Sequence, residues 1–185
     1  GSANIAATGA GRSVTVNAAQ AVQLGTVSAA NAIGVTAAAA AVRNAAATAG
    51  SLTLTAQKGG LYLGTGTAGT TAALTKTDTD VDGLSPVQLG RDELRVVTTL
   101  TSGQAATINS ATDARLKSVS ATTGNVGVTT TRDATGLQLS VAAAPAASVL
   151  SSATDVLSPD FGGAVITASN AAGNVSVTAG KVAQI

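Results

Sequence analysis

The chain has 185 residues, enough for one domain with a core, yet it holds no His, Cys, Met or Trp and a single Tyr and Phe. Only 10% of residues are charged and the balance is +1, which excludes the basic field that nonspecific nucleic-acid binding requires. Without imidazole or thiolate there can be no Ser-His-Asp triad, no thiol nucleophile and no zinc site built on those ligands.

Ala, Thr, Val, Ser and Gly must therefore make the core, and such small and β-branched side chains suit many thin layers better than one thick globule. No apolar run approaches the roughly 20 residues that cross a bilayer, so membrane insertion is not expected. Gly1-Ser2 reads as a cloning scar ahead of a piece of something longer. Over residues 3–77 apolar residues come in alternating pairs: Val14/Val16, Val22/Leu24, Ile33/Val35, a weaker station at Val42, then Leu52/Leu54 and Leu61/Leu63. Val14, Ile33 and Leu52 follow one another at 19-residue steps, with Ala, Gly, Asn, Gln and Ser between the stations. A fixed period near 20 with two short strands in each repeat specifies a solenoid, in which each coil buries its inward side chains on its neighbours.

The run TAAAAAVRNAAATAG from Thr36 to Gly50 competes as a helix, since alanine is the best helix former. It has no amphipathic stripe and no cap box, and the period demands a strand and two turns there, so it is assigned to the β-coil. After Thr77 the period loosens. Residues 78–93 form an acidic, Pro-containing excursion, and 94–185 return to rungs with stations at Leu94/Val96, Ala106/Ile108, Leu116/Val119, Val126/Val128, Leu137/Leu139, Val149, Val165 and Val175/Val177. The segment Thr79-Asp-Val-Asp-Gly-Leu-Ser-Pro86 returns as Thr154-Asp-Val-Leu-Ser-Pro159, which places a second loop near residues 151–163. The fold expected is all-β: a parallel β-helix of about nine or ten rungs, near 45 Å long at about 4.8 Å per rung, with two projecting loops.

The strongest chemical motif is Asp78-Thr-Asp80-Val-Asp82-Gly83. Oxygen ligands at alternate positions followed by Gly form the first half of a calcium loop. The second half is missing, because Leu89 stands where a bidentate Glu is needed and Pro86 takes the ninth position. Asp78, Asp80 and Asp82 are thus either a weak calcium site or an acidic solubilising turn, and no other cofactor is indicated. The cluster LGRDELR, with Arg91, Asp92, Glu93 and Arg95, reads as a solvated or ion-paired edge. Gly64-Thr-Gly-Thr-Ala-Gly69 precedes no helix and no acidic partner, so it is not a dinucleotide loop. Asn174-Val-Ser176 is a formal glycosylation sequon inside an expected strand. The chain is not expected to be an enzyme.

The units SVTVNAAQAVQLGTVSAANAIGVTA, GSLTLTAQKGGLYLG and GNVSVTAGKVAQI resemble the short degenerate shaft repeats of filamentous haemagglutinins and related large exoproteins of two-partner secretion systems. The resemblance covers most of residues 11–77, is looser over 124–185, and fails across about 78–104. It implies a right-handed coil, export through an outer-membrane secretion pore, and a place on the bacterial surface as an adhesin or effector-presenting fibre. Shaft repeats of that family carry no catalytic residues. The function expected is a structural shaft segment, monomeric as a fragment. Two alternatives stand beside it: a module whose loops bind a carbohydrate or host-cell receptor, with Tyr62 and Phe161 as the sole aromatics for sugar stacking, and a trimeric phage tail fibre or tailspike.

Overall fold

The computed structural model describes residues 2–78, 93–112 and 114–130, and past residue 130 the strands alone. Among these there is no helix, and every strand pairing is parallel. The molecule is a β-solenoid whose coils alternate between two sheets. Strands β1 (Ala3–Ala7), β3 (Val22–Ala29), β5 (Ala40–Ala47), β7 (Leu61–Ala68) and β9 (Leu94–Ser102) build one sheet of long strands. The other holds short strands: β2 (Val14–Ala18), β4 (Ile33–Ala37), β6 (Leu52–Ala56), β8 (Ala72–Lys76), β10 (Ala106–Ser110) and β13 (Val126–Thr130).

The long-strand sheet continues through β11 (Ala114–Leu116), β12 (Val119–Ala121), β14 (Ala134–Thr135), β15 (Gln138–Val141), β17 (Val156–Leu157) and β18 (Val165–Ala168). The short-strand sheet ends on β16 (Ala146–Ser151) and β19 (Asn174–Ala179), eight strands in all. Eight is fewer than the nine or ten rungs that chain length at one fixed period implies. The difference lies in the excursion between β8 and β9 and in later coils that consume more chain per rung.

Register explains why the words repeat. Val14, Ile33, Leu52, Ala72, Ala106 and Val126 stack in one column, and Val16, Val35, Leu54, Leu74, Ile108 and Val128 in the next. From Ile33 onward both columns are essentially excluded from solvent. Val14 is buried and Val16 half-buried, because the first coil has a neighbour on one side only. The expected inward residues of β2, β4, β6 and β13 are therefore in place. For Val175 and Val177 the register puts the backbone on the same two columns.

The Ala-rich run forms the last residue positions of β4, a corner at Ala38-Ala39, and β5. Ala37 to Ala40, Val42, Ala45 and Ala47 are buried, which is the packing reason for alanine: the coil leaves room there for a methyl group. Tertiary context overrides the helix propensity.

Strands β3, β5 and β7 each break their alternation once. In β3 the inward residues are Val22 and Leu24, then Val27 and Ala29; in β7 they are Leu61 and Leu63, then Gly66 and Ala68. The extra residue at the break bends the strand into a corner. Here Gly64 is required, since a Cβ would land on the main-chain carbonyl oxygen of Arg43 in the coil beneath. The same break separates Leu116 from Val119, which belong to two short strands, β11 and β12, rather than to one alternating pair.

Candidate functional site

The coil passes the excursion without losing its ladders. Leu61 pairs with Leu94 and Leu63 with Val96, while Ala72 pairs with Ala106 and Leu74 with Ile108. A register shift follows further along, between Leu63/Val96 and Thr65/Thr99, where β9 itself carries one extra residue. Residues 79–92, between the end of β8 and the start of β9, lie outside the described residues, and the chain on either side of them, at Asp78 and Glu93, belongs to one corner of the solenoid.

That corner is polar inside, unlike the coils before it. Lys76 occupies the column position held by Ala37 and Ala56 in the preceding rungs and by Ser110 in the next. Its side chain is 1% exposed, and its ammonium donates to the Asp78 carbonyl at 2.6 Å. Burying an ammonium is costly unless it is hydrogen-bonded, and this bond ties the outgoing chain to the coil. Thr77 reinforces the exit: its amide donates to the Ala56 carbonyl at 3.0 Å, and its hydroxyl lies 3.3 Å from the Gln57 carbonyl. On the returning side Glu93 is buried, and its carbonyl accepts the Leu61 amide at 3.0 Å. Its carboxylate lies 4.0 Å from the Arg95 guanidinium. Ser110 and Thr112 are buried as well, with the Thr112 amide donating to the Ser110 hydroxyl at 3.3 Å.

Of the expected calcium residues, Asp78 stands at this corner, and Asp80 and Asp82 lie outside the described residues. Among the described residues no group of three carboxylates converges, and the Asp78 carbonyl already accepts a bond from a cationic side chain. Of the LGRDELR cluster, Glu93 faces inward and Arg95 is part-exposed beside Tyr62 on the neighbouring strand; Arg91 and Asp92 lie outside the described residues. Phe161 does too. Gly64 to Ala68 is strand β7, so the glycine run is rung and not a phosphate loop. Val156 and Leu157, inside the second expected loop, are laddered into the long-strand sheet against β14.

Sequence reasoning missed Lys76. The signal was present: aligning LTLTA of β6 with AALTK of β8 puts a lysine where the period calls for alanine. An open depression of about 340 Å³ lies elsewhere, lined by Ala7, Thr8, Ser28, Ala29, Ala30 and Thr48; it offers hydroxyls but no charged group. Among the described residues no helix is long and apolar enough to cross a membrane. Comparison with protein-family models, curated proteins and solved structures gives no match.

Proposed function

We propose that the chain is a structural shaft segment of a secreted bacterial surface protein, which extends and presents binding or effector domains elsewhere in its parent. The observation that carries this reading is the continuity of both ladders on either side of residues 79–92: β7 pairs with β9 and β8 with β10, so the core columns run on. A rod built this way gains length one coil at a time, about 4.8 Å per rung, and stability from nearest-neighbour coils. The repeat words that resemble exoprotein shafts support the same reading. On it, the parent crosses the outer membrane through a dedicated secretion pore, and the coil is right-handed.

A binding module is the second reading, favoured by the buried polar corner. Lys76 and Glu93 fix the two ends of the excursion, as a scaffold does for a recognition loop. Flow cytometry of host cells with the labelled fragment, together with a glycan array, separates the two. The shaft reading expects no saturable binding; saturable binding that is lost when residues 79–92 are replaced by a short Gly-Ser link assigns recognition to the excursion. A trimer in sedimentation would instead favour a tail fibre.

A further inference from the structure

The two outward faces of the solenoid differ. On the short-strand sheet the outward positions of the six strands β2 to β13 are Thr15 and Asn17, Gly34 and Thr36, Thr53 and Thr55, Ala73 and Thr75, Thr107 and Asn109, Gly127 and Thr129. None is charged. The long-strand face carries Gln23, Arg43, Tyr62 and Arg95. The register shifts also fall on the long-strand sheet, at β1/β3 and β7/β9, whereas the short-strand pairings run in unbroken register through β19. Exposed edges and faces ordinarily carry charges that prevent association; this face has none.

It is also corrugated. Along one column exposed Thr15, Thr53 and Thr107 alternate with recessed Gly34, Ala73 and Gly127. Gly34 has no internal reason to be glycine: a Cβ there would meet nothing within 4 Å, while Gly25, Gly64 and Gly66 in the long strands are each pressed by a neighbour. Its φ is not positive either. Glycine inside a strand weakens it and often marks the close approach of another backbone.

We propose that this face pairs with the same face of a second copy of the chain, about a two-fold axis that runs along the strands between β6 and β8. That operation keeps each column opposite itself and reverses the rung order, so Thr107 of one copy seats on Gly34 of the other, Thr53 on Ala73 and Thr15 on Gly127. A two-fold interface must be self-complementary in this way. The six strands β2 to β13, at about 4.8 Å apart and five residues wide, span about 475 Å² per copy. The pair thus buries about 950 Å², below the standard size of a stable complex, so the dimer is a weak and reversible one. The inference concerns lateral pairing and does not rest on the shaft reading; it departs from the expectation of a monomeric fragment.

Sedimentation velocity over a concentration series tests it, with circular dichroism to confirm folding. The parent should pass from monomer to dimer in the micromolar range. Thr107→Lys, at an exposed position, should keep the β spectrum and weaken dimerisation about tenfold or more, because a charge is desolvated at the contact. Gly34→Thr should weaken it also, and Gln23→Lys on the opposite sheet should leave it unchanged. A parent that stays monomeric at millimolar concentration overturns the proposal, as does a dimer that survives Thr107→Lys or is lost equally with Gln23→Lys. Shaping of growing ice crystals by a monomeric parent, abolished by Thr107→Lys, would reassign the threonine face to an ordered water lattice and overturn it likewise.

Discussion

One chemical change, glycine to alanine, should have opposite signs at two strand positions. At Gly64 the new methyl would fall on the Arg43 carbonyl oxygen, with the carbonyl carbon 3.2 Å away. The obstacle is main chain, fixed between the paired positions Val42–Leu63 and Asn44–Thr65, so it cannot swing aside as a side chain could. Overpacking of this kind costs about 1–3 kcal/mol, and loosening one adjacent ladder bond adds about 0.5–1.5 kcal/mol. A net loss of about 2–4 kcal/mol follows. At Gly34 the methyl meets nothing and the backbone is one that any L-residue adopts, so Gly34→Ala should gain about 0.4–1 kcal/mol by restricting the unfolded chain. For a chain of this length each kcal/mol shifts the melting temperature by roughly 2–4 °C. Thermal unfolding followed by circular dichroism at low-micromolar concentration should show Gly64→Ala falling by about 4–16 °C and Gly34→Ala level or slightly higher. If both variants moved in the same direction by similar amounts, glycine placement would not be governed by the approach of successive coils.

Three further outcomes are expected. Leu54→Asp puts a carboxylate at a fully buried site between Val35 and Leu74 and should cost about 3 kcal/mol or more; an unchanged melting temperature would mean the register is wrong. Far-UV circular dichroism should be dominated by β structure, with no helical double minimum from the alanine run. Calorimetric titration with calcium should give weak millimolar binding or none, since Leu89 replaces the bidentate ligand; tight binding abolished by Asp80→Ala would instead make the acidic segment a true site.

The columns at Val14, Ile33 and Leu52 were legible because the short strands keep one period and alternate strictly. Val42 was faint for a physical reason: its inward companions in β5 are Ala40, Ala45 and Ala47, whose methyl groups a hydrophobicity pattern scarcely registers. The second inward pair of β3, Val27 and Ala29, stayed hidden because the corner at Gly25 shifts the phase of the alternation, as happens in β5 and β7 too. Leu116 and Val119 looked like one irregular station for the same reason. The polar corner at Lys76 was overlooked because a lone lysine in a threonine-rich stretch reads as surface. Only alignment on the column shows that it stands in place of Ala56.

Removal of one whole coil, residues 33–51, tests the central claim most directly. The cut takes out 19 residues, one period, and joins Ala32 to Leu52, so that Val14 meets Leu52, Leu24 meets Leu63 and Val27 meets Gly66 in the shortened stack. A shaft of interchangeable coils predicts a folded protein with an unchanged β spectrum, a single cooperative transition, and a small-angle X-ray scattering profile shortened by about 4.8 Å along the rod axis. Loss of the β spectrum, or a folded product with no change in length, would contradict it.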